Sequence, residues 1–163
     1  MLTERTAWPS GRFSFDQGCR IMLKIVFLTN KFYSDHKGCP EIRTKERRPY
    51  VCVQVVVNGV LWAIPMRSHI SHEYAIWTDK EQGHGIDFTK AVAICKMEEY
   101  ISAEKPYIRP NEFAVLKRIN KHTVIQKFLQ YIKVYKDAKA HMEVPRNKQL
   151  VRFSTLQYFE KYI

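Results

Sequence analysis

The sequence predicts an α+β domain, a small antiparallel β-barrel packed by basic C-terminal helices. Three observations carry this. Residues 23–95 hold short runs of β-branched and aromatic residues. Asn58-Gly59 lies between two of those runs, and both residue types tolerate the positive φ that a two-residue hairpin turn demands. From Asn111 onward, apolar residues recur at helical spacing instead. The chain has 163 residues, 45% of them hydrophobic. That is enough apolar material for one packed core, and it excludes disorder as the main state.

The elements follow in order. Residues 1–21 read as an N-terminal extension or upstream arm. Arg5, Arg12, Asp16 and Arg20 interrupt them, and the apolar stretch of ~7–15 residues that a secretory signal needs is missing. Residues 22–163 read as a single domain. Leu23–Thr29 (LKIVFLT) predicts a strand. Lys31–Arg48 predicts a polar loop holding Gly38 and Pro40. Tyr50–Val57 (YVCVQVVV) and Val60–Met66 (VLWAIPM) predict the two arms of the Asn58-Gly59 hairpin. Pro65 has no N–H for a ladder, so it is expected where that strand leaves the sheet. Ser68–His84 reads as a long polar connection, and Ile86–Cys95 (IDFTKAVAIC) as a further strand.

The helical part begins at Pro110-Asn111. Phe113, Leu116 and Ile119, then Ile125, Phe128, Leu129, Ile132 and Tyr135, keep one face apolar. Ser154-Thr155-Leu156-Gln157 resembles a capping box opening a last short helix. The longest apolar runs, such as Val60–Met66, fall well short of the roughly 20 residues that a spanning helix needs. No membrane partner is expected. Cysteines stand at 19, 39, 52 and 95 in no zinc-site spacing, which with the missing export signal predicts reduced thiols in the cytoplasm.

Charge is concentrated. The formal net charge is +11. Residues 105–163 carry 13 Lys/Arg against 4 Asp/Glu, whereas residues 1–104 carry 14 against 12. A basic third beside a near-neutral body suggests a polyanion-binding face, with nucleic acid the first candidate. The competing explanation is a merely soluble surface.

Gly-rich phosphate loops, HExxH and GxSxG are absent from the sequence, so no nucleotide cofactor or tightly held metal is expected. The densest polar segment, Arg67-Ser68-His69-Ile70-Ser71-His72, leaves a hairpin strand directly. His69 and His72 titrate near neutrality and suit proton transfer. Arg67 and Ser68 suit a phosphate. HxxH also fits half a metal site without a nearby third ligand, and a polar surface loop explains the segment equally well. Arg43, Lys45, Arg47 and Arg48 form a second cluster, suited to phosphate by the guanidinium fork or simply solvated. Asp87 and Lys90 stand three apart, on opposite faces if the segment is a regular strand. Of the aromatics in the basic third, Tyr131 and Tyr158 fall off the apolar stripe and are the better candidates for stacking on bases.

The order of Arg48-Pro49-Tyr50, Ile64-Pro65-Met66-Arg67-Ser68 and Gly85-Ile86-Asp87-Phe88-Thr89-Lys90-Ala91-Val92, followed by basic helices, resembles the toxins of type III toxin–antitoxin systems. The likeness covers about residues 22–140 and is greatest to the CptN/TenpN group, related to ToxN and AbiQ. It implies an SH3-like barrel of the MazF/Kid/CcdB kind and a metal-independent endoribonuclease without cofactors. It implies, as partner, a repeated antitoxin RNA, expected to be a pseudoknot, which the toxin cuts and holds in a closed protein–RNA hetero-oligomer. Cellular RNA is the implied substrate; DNA is not expected.

Ser68 aligns with the family's active-site serine. Arg67 replaces the threonine before it, Ile70 the lysine after it, and Arg48 corresponds to a catalytic lysine. For 2′-OH attack on the adjacent phosphorus, Arg48 and Arg67, with Lys90, are then the cations. Ser68 would bond the phosphate, and His69 or His72 would move the proton, with His69 preferred because it adjoins Ser68. The expected products carry 2′,3′-cyclic phosphate and 5′-hydroxyl ends. Lys31, Arg43, Lys45 and Arg47 in the loop, and Lys117, Arg118, Lys121 and Lys127 with Tyr131 in the helices, would bind RNA. The alternatives are a non-catalytic basic RNA-binding module and a barrel toxin that poisons a protein target.

Overall fold

Asn58 and Gly59 both adopt positive φ, 52° and 76°. They join β2 (Val51–Val57) to β3 (Val60–Arg67), which pair antiparallel from Val57↔Val60 to Cys52↔Pro65. This hairpin, expected from sequence, is the centre of the molecule. The computed structural model describes residues 23–42 and 51–163. Strand β1 (Lys24–Phe27) pairs with β2, and α1 (Asn30–Asp35) follows it. Strands β4 (Ala75–Asp79), β5 (His84–Asp87) and β6 (Val92–Ala93) complete a six-stranded sheet. Its order is β1-β2-β3-β5-β4, with β6 also beside β3.

The class is α+β with an antiparallel sheet, but the sheet is open. Among the described residues β1 and β4 stand at opposite ends and do not pair, so the expected closed barrel is corrected. Pro65 is the last β3 residue paired with β2. The strand does not leave the sheet there, because Met66 and Arg67 go on to pair with Ile86 and Gly85.

Three further expectations are corrected. The supposed loop after Lys31 begins as α1, because Thr29 accepts a hydrogen bond from the Phe32 N–H and caps the helix. The supposed connection 68–84 contains β4, whose turn back to β5 uses Gly83 at φ 66°. The supposed strand 86–95 is broken. Asp87 accepts a bond from the Thr89 N–H, which winds Phe88–Lys90 into a 3-10 turn between β5 and β6. The opposite-face argument for Asp87 and Lys90 therefore lapses.

Helices α2 (Met97–Tyr100), α3 (Pro110–Leu116), α4 (Lys121–Ala140) and α5 (Pro145–Phe153) follow. Asn120 caps α4, its carboxamide accepting from His122 N at 2.8 Å. Val124, Phe128, Tyr131, Ile132, Tyr135 and Ala138 form the buried face of α4. Phe128 meets the fully buried Trp62 of β3 edge-on, centroids 5.1 Å apart, and stacks on Phe88 at 5.9 Å. This contact fixes α4 against the sheet. Ser154 opens a 3-10 turn, Thr155–Tyr158, by accepting from Leu156 N, and a second such turn, Glu160–Tyr162, follows it. Gln157 bonds the carbonyls of Arg152 and Ser154 instead of reciprocating, so the capping box is half formed. Phe159 then packs on Trp62.

Candidate functional site

Buried charge is costly unless it is paired, so a buried carboxylate marks an organised place. Asp87, at the end of β5, is such a group, with a side chain 0% exposed. Its Oδ1 accepts from Thr89 N at 2.9 Å and from Thr89 Oγ1 at 2.7 Å. Its Oδ2 accepts from Arg67 Nη1 at 2.8 Å. His72 Nε2 lies 3.2 Å from Oδ1 and 3.3 Å from Thr89 Oγ1. Burial pushes the Asp87 carboxyl up, but the bonds from His72 and Thr89 and the charge of Arg67 outweigh it, and the group sits below the ordinary aspartate value.

The same contacts fix the imidazole. Tyr74 N–H donates to His72 Nδ1 at 3.2 Å. An acceptor at Nδ1 leaves the ring proton on Nε2, aimed at Asp87 and Thr89. Thr155, beyond α5, anchors the turn itself by donating to Ala91 O and, at 3.2 Å, to Thr89 O. β3 supplies Arg67 through its pairing with Gly85. Gly85 is required here. A Cβ at that position would run into the Ile76 carbonyl oxygen of β4, so only glycine lets the two strands close.

Arg67, His72 and Thr89 line a cavity of about 1160 Å³. Lys80, Lys90 and Arg146 add positive charge to its walls, and Glu41 and Glu73 negative charge. Lys90 Nζ donates to Glu41 Oε2 at 2.7 Å and to the Phe153 carbonyl. It therefore sits in the site, but already neutralised. Arg67 has one nitrogen engaged by Asp87 and is 29% exposed, so its charge faces the open space already held in place.

The sequence-predicted residues divide. Arg67, His72 and Lys90 come together at this cavity. Ser68 and His69 do not line it. Both are exposed, with His69 Nδ1 3.2 Å from Ser68 Oγ. His69 takes φ 58°, the left-handed conformation that turns Ile70 inward to bond the Gly83 carbonyl. Arg43, Lys45, Arg47 and Arg48 lie outside the described residues. Lys31 is exposed and paired with Asp35 at 2.7 Å. Lys117 and Arg118, in the turn after α3, and Lys127 of α4 are exposed, and Lys121 at the start of α4 is half-buried. Lys117 lies over the Phe113 ring at 4.5 Å.

Tyr131 is corrected. It is 2% exposed, its hydroxyl donates to Ser154 Oγ at 2.7 Å, and its ring packs on Tyr74. It is a core residue and cannot stack on a base. Burial also raises its phenol well above the ordinary value.

Sequence reasoning missed Thr89, Glu41, Lys80 and the whole contribution of α5 to the site. The Asp87-x-Thr89 turn is visible as residue types, but reading 86–95 as one strand hides it. Among the described residues no group of three or more His, Cys, Asp or Glu side chains is placed to hold a metal ion. No helix of the described residues is long and apolar enough to cross a membrane. The chain matches no protein-family model, and neither the curated proteins nor the solved structures show a significant match to it.

Proposed function

We propose that this chain is a metal-independent endoribonuclease acting as the toxin of a type III toxin–antitoxin system. One observation carries the reading. A cation from the family-like Pro65-Met66-Arg67-Ser68 block and the Asp87 and Thr89 of the Gly85–Val92 block meet, with His72, at one cavity in a strongly basic chain. Two of the three blocks that suggest the resemblance are thus neighbours in space as well as in order.

The chemistry follows from the groups present. The ribose 2′-OH attacks the adjacent phosphorus, and the P–O5′ bond breaks as the 5′-oxygen takes a proton from solvent water, giving cyclic phosphate and 5′-hydroxyl ends. Arg67, pre-oriented by Asp87, stabilises the negative charge that grows on the phosphorane oxygens. His72 takes the 2′-OH proton at Nδ1, giving up its bond from Tyr74 N–H. Asp87 then stabilises the imidazolium through Nε2–H, as a buried carboxylate does for a catalytic histidine. Antitoxin RNA lies along the turn after α3 and along α4, where Lys117, Arg118, Lys121 and Lys127 contact phosphates. A closed assembly with repeat RNA is the family reading of the partner.

One observation favours a second reading, a non-catalytic RNA-binding module. Both His72 nitrogens are engaged inside the protein, as for a residue that serves structure. A repeat-containing RNA incubated with EDTA, with end-group mapping, separates the two. The wild type is expected to leave 2′,3′-cyclic phosphate ends, and His72→Gln and Arg67→Ala to lower the rate at least a hundredfold. Tight binding with no cutting by the wild type selects the binding module. Ends bearing 3′-hydroxyl and 5′-phosphate reject the mechanism.

A further inference from the structure

Helix α5 carries a surface that the catalytic reading does not use. Four of its residues line the cavity: Arg146, Gln149, Leu150 and Phe153. Their spacing of three, one and three puts them on one helical face. The face turned the other way is anchored in the core by Val151, 5% exposed. A stripe of this spacing that served only packing would be apolar. This one holds a cation, an amide, an aliphatic and an aromatic.

The exposure of these groups is informative. Phe153 keeps 48% of its surface open. Arg146 is 80% exposed at the side chain, with Glu73 no closer than 3.8 Å. The Phe153 carbonyl accepts from Lys90 Nζ, so the end of α5 is pinned beside a cavity cation. An exposed aromatic ring with the Arg152 guanidinium over it, 5.7 Å from its centroid, on the wall of a cavity that also presents Arg67 and Lys80, matches the parts of a nucleotide. A ring face takes a base, an amide takes a base edge, and a guanidinium takes a phosphate.

We propose that this face of α5 is a nucleobase subsite of the cavity. Phe153 stacks on the base next to the phosphate held by Arg67, Gln149 reads the edge of that base, and Arg146 holds the neighbouring phosphate. The inference rests on the reading that the cavity takes RNA, and it adds what selects the sequence there.

Hexanucleotides of 2′-O-methyl A, C or U test it, because they lack the attacking hydroxyl and report binding without cutting. Their affinities are measured by fluorescence anisotropy for the wild type, Phe153→Leu, Phe153→Trp and Gln149→Leu, beside KM and kcat on a cleavable RNA. Phe153→Leu is expected to weaken the tightest hexamer roughly tenfold and to raise KM more than it lowers kcat. Phe153→Trp is expected to restore binding, which a merely structural ring would not do. Gln149→Leu is expected to narrow the differences among the three hexamers.

Wild-type affinity in Phe153→Leu overturns the subsite, and if that variant still cuts RNA normally the nuclease reading survives. Phe153-dependent binding by a wild type that cuts no RNA keeps the subsite and rejects the nuclease. Failure of the wild type to bind any hexamer overturns the subsite, and the nuclease reading falls with it only when the wild type also cuts no RNA.

Discussion

Asp87 joins residues that lie far apart in sequence, and its charge state decides their arrangement. Its carboxyl is held below the ordinary value in the folded protein. A group with a depressed folded pKa contributes stability that is present above its unfolded value and is lost as pH falls through the folded one. The melting temperature is therefore expected to drop most steeply below about pH 4, the unfolded aspartate value, and Asp87→Asn to lower it at pH 7 while flattening that acid limb. Thermal scans across pH read both. Arg67→Ala leaves a buried carboxylate short of its cation, at a cost on the order of 3 kcal/mol. Tyr131→Phe removes a hydrogen bond to the buried Ser154 hydroxyl, about 1 kcal/mol in a denaturant titration, and is expected to leave RNA affinity unchanged. The sequence shows Arg67, His72 and Asp87 as residues of the right chemistry. It does not show that they meet, because Arg67 and Asp87 are brought together by strand pairing rather than by spacing. Tyr131 reads as free because it falls beside the apolar stripe of α4, yet Tyr74 and Ser154 widen the buried face to include it.

At the scale of elements, legibility follows locality. The Asn58-Gly59 hairpin and the α4 stripe are plain, because a turn pair and a helical period are written in neighbouring residues. β4 and α5 are not. β4 (AIWTD) is short and mixed, and α5 turns polar residues to its cavity face, so neither gives a clean period. The break in 86–95 depends on one side chain, Asp87, bonding to Thr89 N two residues on. Gly85→Ala is expected to separate β4 from β5, since the new Cβ meets backbone that cannot step aside. Lower thermal stability together with loss of cleavage is the expected outcome, and normal values for both would show that the strands yield. In the turn after α3 and on α4, charge reversal at Lys117 or Lys127 is expected to weaken antitoxin RNA binding. Removing one lysine–phosphate pair should reduce the slope of log affinity against log salt by about 0.7–0.9, which a salt titration reads directly.

For the whole molecule, positive charge falls in two places, the helical third and the cavity wall. The helical third carries most of the excess positive charge, and attraction along it is long-ranged and screened by salt. In the cavity, Arg67 is paired at contact distance with a buried carboxylate, and salt screens such a pair much less than exposed charges. Raising salt is therefore expected to lower RNA affinity far more than the rate of single-turnover cutting measured at saturating protein. Equal losses in both would place the screened charges inside the reaction centre.

The walls of the cavity run from Leu28, just after β1, to Thr155 beyond α5. A chain emerging from the ribosome acquires its hairpin early, as neighbouring segments fold first. The Phe88–Lys90 turn, however, is fastened by Thr155, and α5 closes the last side. A growing polypeptide thus carries most of its basic surface before it has a finished cavity. On the proposed reading of the chain as an RNA-cutting toxin, that order would let RNA be attracted before it could be cut.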